Sequence, residues 1–589
     1  MKISYRRQLV QSCRGFAVAV ALALMVASCG GEAEPGGGSS LEAYTPINFG
    51  GEGENFFEPW RLYEVEINMD EADFETLKGE GRTLASANRD CVPEYEYSRF
   101  PATVTVGART LDGETIEPVT MEQVNIRKKG YIGSLSWNRP SVILYFDDRV
   151  KGRTYKNRDR MTLNNNRQDA SKVRTCMAFW LFEEAGLPTP RCNFAHVTMN
   201  GVDMGIYSHV EPMRMPFLQR AFGPGEGNLY ESQTADFGTW LSRRFEKKNF
   251  RRQGRSDLQA IDAVIELDDD EAMLDLLQQL IDVDQFIEFW AMEVLLGLWD
   301  GGTGNANNFQ IYAPPSDSRF RFLPWGPDTA FSEGHQLSPG TGPIYRNLSL
   351  AKRFYEIPAL RAQFEATLED YLENLWDEDE LFAYLEDIRD LTGVAESAQS
   401  HVIDFFNSQR DRLEAELELN EASGSIHALN NVPPNCGPPV TTTVTGEIST
   451  ELDSTGANSG TLQFVRDGEL ITAEQQGSIF GGAVSGFDGE MSSPRVESLT
   501  LVLTGSDGKL YGLQMFIEAP QFSDGSFGLM GFSNNVMLVE IDGQSLGFGL
   551  LALGETGTVT LAGVEDYLNG TASLVVDLDL VLEYGQGTQ

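Results

Sequence analysis

Three polar residues of the central region have the types and the spacing that a phosphoryl-transfer site needs. Asp300 follows an apolar run, Asn308 comes eight residues later, and Asp328 lies in a Pro-Gly turn beyond a second strand-like segment. In such sites one Asp accepts the proton of the attacking hydroxyl, while an Asn and another Asp hold magnesium on the nucleotide phosphates. Asp and Asn are also common turn residues in Gly-rich loops, so the spacing alone leaves both interpretations open.

The stretches around these residues carry strand-like and helical patterns, which indicates the α+β fold class. Alternating runs rich in Val, Ile and Tyr predict strands, and apolar residues at three- and four-residue spacing predict helices. The predicted strands cover Leu62–Ile67, Ala102–Val106, Val124–Arg127, Val142–Phe146 and Ala195–Met199. The predicted helices cover Ala170–Ala185, Leu258–Glu266, Glu271–Leu280, Asp284–Leu298 and Ile357–Leu375, followed by a charged helical pair over Asp377–Glu418.

A different composition begins after Asn430 and indicates a second domain. Residues 421–440 contain a Pro-rich stretch that cannot continue a helix, and they predict a linker. Residues 441–589 are rich in Gly, Thr, Ser and Val, with Asp-Gly pairs that begin at Asp467, Asp488, Asp507, Asp524 and Asp542. Because Asp-Gly tolerates the positive φ of tight hairpin turns, we predict an all-β antiparallel domain, either a sandwich or a barrel. Calcium loops are the alternative, but the EF-hand spacing of Asp residues does not occur. This domain is expected to bind a surface ligand or to act as a spacer.

The amino-terminal residues predict export and a lipid anchor. Residues 1–28 start with basic side chains, continue with the apolar run Gly15–Val26 and end in small residues, as cleaved signals do. Val26–Gly30 resembles a bacterial lipobox, in which Cys29 receives the lipid; an ordinary secretory signal is the alternative. Residues 29–53 are interpreted as a flexible tether because Gly30–Ser40 is rich in Gly. The predicted location is therefore a membrane of the cell envelope, facing the periplasm or the cell surface.

The net charge and the cysteine spacing indicate whether the chain binds nucleic acid or zinc and whether it forms disulfides. The chain of 589 residues has a formal net charge of −42 at pH 7. This charge repels phosphates, so we expect no nucleic-acid binding. Cys91, Cys176, Cys192 and Cys436 remain after the signal, and their spacing matches no zinc site. Four cysteines in an oxidising compartment allow three disulfide pairings. We favour Cys176 with Cys192 because they are close in sequence.

An ordered series of short motifs runs from about Tyr63 to Glu418. In chain order the motifs are Tyr63–Met69, Val124–Gly130, Leu163–Asn166 with Asp169–Ser171 and Arg174, Asn200–Gly201, Gly205–Tyr207 with Glu211, Gly227–Tyr230, Asp300, Asn307–Tyr312 and Pro324–Asp328. In this order they resemble the CotH kinase family of atypical protein kinases. The resemblance implies a divergent kinase-like fold over residues 54–420. It further implies that ATP, with Mg²⁺ or Mn²⁺, is used to phosphorylate Ser or Thr of proteins.

The resemblance assigns three roles in the chemistry itself. Asp300 corresponds to the catalytic-loop carboxylate, and Asn308 corresponds to its metal-binding companion. Asp328 corresponds to the carboxylate that holds the second position on the metal. The spacing alone had already made these three residues candidates for a phosphoryl-transfer site.

The resemblance also assigns four charged residues to the nucleotide. Arg127, Lys128 and Arg139 are placed where cations would meet the phosphates, and Glu211 would fix one of the cations as an ion pair. Each assignment has a structural alternative. Arg127 and Lys128 could be a charged strand end, and Glu211, which follows an apolar residue, could belong to a buried structural ion pair.

The sequence departs from the family pattern at two positions. Gly326 stands where the family has the first Asp of a Pro-Trp-Asp-x-Asp motif, and Arg139 stands where the family has Lys. Three functions therefore stay open at this point. They are an exported, lipid-anchored protein kinase, a non-catalytic surface or adhesion lipoprotein (a pseudokinase), and an enzyme that transfers another group from the nucleotide.

Overall fold

A computed structural model describes most of the chain after the predicted tether. The described residues are 48–49, 54–87, 95–238, 240–249, 254–333, 342–419, 421–424, 441–450, 459–466, 468–484, 496–518, 523–531, 534–541, 548–565 and 574–584. All of them belong to one compact unit, Pro46–Gln589. The signal, Cys29, Cys91, Cys436, most of the predicted linker, and the Asp residues at 467, 488 and 542 lie outside the described residues.

The first part of the described chain is built around a closed sheet. The strands of this first part of the chain are β1 Asn48–Phe49, β2 Arg61–Met69, β3 Phe100–Thr110, β4 Thr115–Lys129, β5 Ser141–Tyr145, β6 Thr154–Tyr155, β7 Arg160–Asn164, β8 Cys192–Met199 and β9 Val202–Val210. Strands β1 and β6 pair with each other outside the closed sheet. The helices of this part are α1 Glu71–Gly79, α2 Leu84–Ala87 and α3 Arg174–Glu184. The barrel order is β2-β3-β4-β5-β7-β9-β8, and β2 closes it by pairing in parallel with β8. Apolar side chains alternate inward along β2, where Tyr63, Val65 and Ile67 are buried.

The second part is mostly helical and surrounds a small sheet. The helices are α4 Met215–Phe222, α5 Ser256–Ile265, α6 Asp270–Leu277, α7 Val283–Leu295, α8 Gly302–Asn305, α9 Ser349–Glu356, α10 Pro358–Asn374, α11 Glu378–Thr392 and α12 Ser400–Leu417. The strands are β10 Asn228–Ser232, β11 Phe245–Lys247, β12 Phe309–Ala313 and β13 Arg321–Pro324, in the sheet order β11-β10-β12-β13. Helix α7 is buried on most sides, and its Trp290 stacks on Phe364 of α10 with ring centroids 3.8 Å apart. This packing fixes the end of α7, from which the chain continues to Asp300.

The carboxyl-terminal part is one antiparallel sheet that closes on itself. Its strands are β14 Thr441–Thr450, β15 Ser459–Arg466, β16 Glu469–Val484, β17 Val496–Gly505, β18 Leu510–Glu518, β19 Gly525–Gly528, β20 Asn535–Ile541, β21 Phe548–Ala562 and β22 Leu574–Tyr584. Pairing of β21 with β22, in addition to β14 with β22, closes the sheet around a core of its own. The pair Asp507-Gly508 forms the turn between β17 and β18, with φ +79° at Gly508.

The structure confirms the α+β class, the predicted strands and helices of the first two parts, and the antiparallel carboxyl-terminal sheet. Closure of that sheet decides for the barrel over the sandwich. The favoured disulfide between Cys176 of α3 and Cys192 of β8 is also present. Among the helices in the described part of the chain, none combines the length and the apolar character needed to cross a membrane.

Candidate active site

Asp300 lies in a short Gly-rich loop between α7 and α8, and three amide side chains hold its carboxylate. The Nδ2 atom of Asn305 donates to Oδ1 at 2.7 Å, and Nδ2 of Asn308 donates to Oδ2 at 2.8 Å. Asn307 donates to both oxygens at longer range, 3.3 and 3.4 Å. Burial nevertheless raises the pKa of Asp300 to about 6, against the effect of these donors. The carboxylate is therefore fixed in orientation and suited to take up a proton near neutral pH.

Glu293, on α7, holds the loop that carries Asp300. Its buried carboxylate accepts hydrogen bonds from the backbone N–H of Gly302 at 2.8 Å and of Thr303 at 2.7 Å, and from the Thr303 hydroxyl at 2.7 Å. These bonds satisfy N–H groups at the start of α8, which have no partner within the helix. Burial raises the pKa of Glu293 to about 7. A Cβ at Gly301 would lie 2.5 Å from Oε1 of Glu293, so the loop needs glycine to approach so closely.

Asp328 follows β13 and joins the Asp300 loop through the pairing of β12 with β13. The backbone N–H of Trp325 donates to the carbonyl of Asn308 at 3.0 Å, which ties the two loops together. Burial raises the pKa of Asp328 to about 7, and the negative charges of Asp300 and Asp169 act in the same direction. Asp328 thus lies within electrostatic range of Asp300, whose carboxylate is bonded to Asn308.

Gly326 occupies the position where the resemblance places an additional Asp. Its φ is +53°, a conformation that favours glycine. A Cβ built on Gly326 would lie 2.9 Å from Oδ1 of Asn308. The side chain of Asn308 therefore occupies space that a side chain at position 326 would need, and the turn in this chain is built around glycine.

Lys129, one residue beyond the predicted pair, is a cation whose charge acts on Asp328. Its ammonium donates to Oδ1 of Asn164 and interacts with the charges of Asp328 and Glu231. Burial lowers the pKa of Lys129 to about 8, although both carboxylates oppose that change. The sequence analysis missed Lys129, yet strand alternation gave a signal for it, because residues 127 and 129 share one face of β4.

The structure corrects the expected pairing of Arg127 with Lys128 at the phosphates. Alternation along β4 turns Lys128 into the barrel, where it is fully buried and donates to the carbonyl of Lys78 at 2.5 Å. Its charged neighbours are Glu518 and Glu80, and burial lowers its pKa to about 7. Arg127 points the other way, with its guanidinium 5.9 Å from the centre of the Tyr145 ring. Lys128 is therefore placed away from Asp300 and Asp328.

Glu211 also differs from the expectation that it fixes Arg127 or Lys128. Its carboxylate is buried and pairs with Arg191 at 2.8 Å, Arg220 at 2.7 Å and Arg158 at 3.8 Å. These cations hold its pKa below the usual range, against the effect of burial. The contacts match the structural alternative, a buried ion-pair network that joins β9 to α4.

Arg139 lies at the end of the loop between β4 and β5, against β9. Its Nη2 atom donates to the carbonyl of Ile206 at 2.9 Å, and the guanidinium lies 5.4 Å from the centre of the Tyr207 ring. The same loop begins directly after Lys129. Arg139 and Lys129 thus stand at the two ends of one loop, which makes the position of that loop important for any phosphate that they contact.

The oxygen donors of the site fit a hard divalent cation that is shared with phosphates. Within the described part of the chain, no three His, Cys, Asp or Glu side chains are grouped closely enough to hold a metal by themselves. Mg²⁺ commonly takes one or two carboxylates and completes its coordination with phosphate oxygens and water. Asp328 and the amide of Asn308 offer such donors. Burial raises the pKa of Asp328 most, and the charges of Asp300 and Asp169 add to that effect; a bound cation would offset these charges.

Two comparisons with known proteins point to one family. Residues 126–418 match the family described as CotH kinase protein. Inner spore coat protein H of Bacillus subtilis (strain 168) is 23% identical over 238 residues, which cover 38% of this chain and 65% of that protein. The family match includes Lys129, the Asp300 loop and Asp328. The chain spans slightly less than two thirds of the length of the relative.

Proposed function

Because the chain belongs to the CotH kinase family through residues 126–418, we propose that it transfers the γ-phosphoryl group of ATP to Ser or Thr of proteins. The observation that carries the proposal is the convergence of Asp300, Asn308 and Asp328, which come from two separate loops. Turn residues with no common task would have no reason to gather two carboxylates of raised pKa at one place.

A kinase-like arrangement is part of the proposal. Lys129 comes from the strand-rich first part, whereas Asp300 and Asp328 come from the helical second part. A nucleotide bound between these parts would meet a cation from one side and carboxylates from the other. That the cation and the carboxylates come from different parts of the chain supports the kinase-like fold that the resemblance implied.

Each residue would have a distinct task in the transfer. Asp300, held by its amide donors, would orient the substrate hydroxyl and accept its proton. Lys129 would contact phosphate oxygens as a compact positive charge. Asp328 and Asn308 would hold Mg²⁺ or Mn²⁺, which supplies positive charge to the phosphates when bound. The protein would thus contribute position and electrostatics and form no covalent intermediate.

A non-catalytic role is the second candidate, and Gly326 favours it. The missing carboxylate leaves one Asp after β13 to hold the metal. Its raised pKa means that Asp328 is partly protonated near neutral pH in the absence of a cation. On this reading the family domain would bind a partner on the surface, and the carboxyl-terminal sheet would bind a second ligand.

Export and lipid anchoring complete the proposal. The signal-like residues 1–28 and Cys29 support an envelope protein that is held on a membrane and acts on other envelope or surface proteins. We propose no contact with nucleic acid, because of the net charge of −42.

A transfer assay tests the proposed function. The full mature chain is incubated with γ-labelled ATP, Mg²⁺ and an envelope protein fraction, and label on Ser and Thr is measured. Transfer by the wild type that Asp300→Asn removes supports the proposal, because this variant keeps the shape of the side chain but loses the proton acceptor. Absence of transfer by the wild type, with Mg²⁺ or Mn²⁺, would favour the non-catalytic role.

A further inference from the structure

The carboxyl-terminal sheet contacts the loop between β4 and β5, residues 130–140, which follows Lys129 of the candidate active site. At the end of β18 the carboxylate of Glu518 is fully buried and reaches into this loop. It accepts a hydrogen bond from the Ser136 hydroxyl at 2.6 Å and another from the Trp137 backbone N–H at 2.8 Å. Both donors belong to the family domain, whereas Glu518 lies 382 residues away from Ser136 in the sequence. The contact therefore forms only because the carboxyl-terminal sheet packs against the family domain.

Backbone groups approach each other closely around this contact. The N–H of Gly531 donates to the carbonyl of Arg82 at 2.8 Å. A Cβ at Gly531 would lie 2.7 Å from the carbonyl oxygen of Ile132 and 3.2 Å from Cβ of Leu135, so only glycine fits there. Leu135 is fully buried beneath the contact. The loop is thus covered by the carboxyl-terminal sheet over several residues.

Charge complementarity accompanies this packing. Lys128 and Arg167 are buried cations of the family domain, and Glu518 interacts with the charge of each. A buried cation without a counter-charge is strongly unfavourable. Glu518 thus supplies negative charge to two residues that the family domain has itself buried, which favours a lasting association over an occasional one.

The loop connects this contact to Lys129 at one end and to Arg139 at the other. The Ser136 hydroxyl, which donates to Glu518, also accepts from the backbone N–H of Arg139 at 2.9 Å. On the opposite side, Arg167 donates to the carbonyl of Gly133 at 2.9 Å. Lys129 immediately precedes the loop. Loss of the Glu518 contact would therefore free the middle of a segment whose two ends carry candidate phosphate ligands.

We propose that the carboxyl-terminal domain positions part of the active site. Its Glu518 is a positioning residue that holds the loop at residues 130–140. The effect on ATP rests on the proposed function, whereas the positioning of the loop does not. Glu518 acts through the Ser136 hydroxyl and the Trp137 N–H, and through them on Arg139 and Lys129.

Amide hydrogen exchange on the full chain without nucleotide tests the positioning. Glu518→Gln keeps the size of the side chain but removes its charge and one acceptor, so exchange at residues 130–140 should become at least tenfold faster. Glu540→Gln is the matched control, since Glu540 pairs with Arg466 and Lys509 inside the same sheet. Exchange in the core strands of the carboxyl-terminal sheet should stay unchanged in both variants. Unchanged exchange in the loop of the Glu518 variant would overturn the proposal.

A second readout connects the loop to the nucleotide. Ser136→Ala should change exchange in the same direction as Glu518→Gln, and the effect of the double variant should fall short of the sum of the two, because the two groups share one hydrogen bond. If the wild type uses ATP, its KM for ATP should rise about tenfold in the Glu518 variant with a smaller change in kcat. A faster loop with an unchanged KM would overturn the link to the site. If the wild type does not bind ATP, the proposed function fails, and the exchange result alone decides the positioning.

Discussion

Replacement of Asp328 by Asn should stabilise the protein in the absence of metal while damaging its proposed activity. Asp328 is half-buried, and its pKa is raised from 3.8 to about 7 by burial and by the charges of Asp300 and Asp169. Between these pH values the native state binds the proton more tightly than the unfolded chain, so stability from this group falls as the pH rises toward 7. Full ionisation corresponds to at most about 4 kcal/mol. Because the side chain keeps some contact with water, we expect about 1–3 kcal/mol.

Thermal unfolding at two pH values measures this effect. At pH 8, without divalent cations, Asp328→Asn should melt a few degrees above the wild type. At pH 5 the carboxyl is largely protonated in the native state but still ionised in the unfolded chain, so the difference in melting temperature should shrink to roughly a third of its value at pH 8. Adding Mg²⁺ with ATP should stabilise the wild type and leave the variant almost unchanged, because a ligand stabilises only the state that binds it.

The control must separate this local effect from the removal of one negative charge in a very acidic chain. Asp317→Asn serves, since hydrogen bonds from Arg321 and Arg319 hold the pKa of Asp317 below its usual range. That replacement should leave the melting temperature at pH 8 unchanged or lower it. If Asp328→Asn were no more stable than the wild type at pH 8, or gained as much at pH 5, the carboxylate cluster described above would not exist.

Three other expectations concern the loops and the anchor. Glu293→Gln replaces one of the two oxygens that accept from α8 by an NH2 group, so the unfolding free energy should fall by about 1–3 kcal/mol and exchange in that loop should accelerate. An unchanged melt and exchange pattern would argue against the role of Glu293 in holding the loop. Gly326→Asp introduces the residue that the resemblance places at this position, but its side chain meets Asn308 and the backbone has a positive φ, so stability should fall by about 1–2 kcal/mol. An unaltered melting temperature would show that the turn adapts. Labelled fatty acid should enter the wild type and Cys13→Ala but not Cys29→Ala, and equal labelling of all three would disprove the anchor.

Local sequence patterns predicted the elements and the part of the site that is close along the chain. Period-two and helical spacing placed β2 and α7 within a few residues of their observed ends, because each element buries one repeating face. Asp300 and Asn308 belong to one short loop, so their contact needed little tertiary information. The disulfide between Cys176 and Cys192 joins neighbouring elements and was predictable for the same reason.

Contacts that depend on packing between elements distant in the chain could not be predicted from the sequence. Alternation separates Lys128 from Lys129, but only the position of β4 relative to the carboxylates tells which face meets them. Glu211 needed the fold to reveal its three arginine partners. Glu518 lies in a strand whose pattern gives no hint that its last residue reaches another domain. In each of these cases the deciding contact is long-range, and no local spacing encodes it.

Calorimetric titration of ATP into the full mature chain, with and without Mg²⁺, distinguishes a cation-dependent nucleotide site from a non-catalytic domain. We predict binding that requires the cation, an affinity at least tenfold weaker in Asp328→Asn, and an affinity close to wild type in Asp300→Asn, whose transfer activity is nevertheless lost. Such a separation would assign metal binding to one carboxylate and proton acceptance to the other. No cation-dependent binding by the wild type, or wild-type affinity and transfer in both variants, would contradict the kinase account.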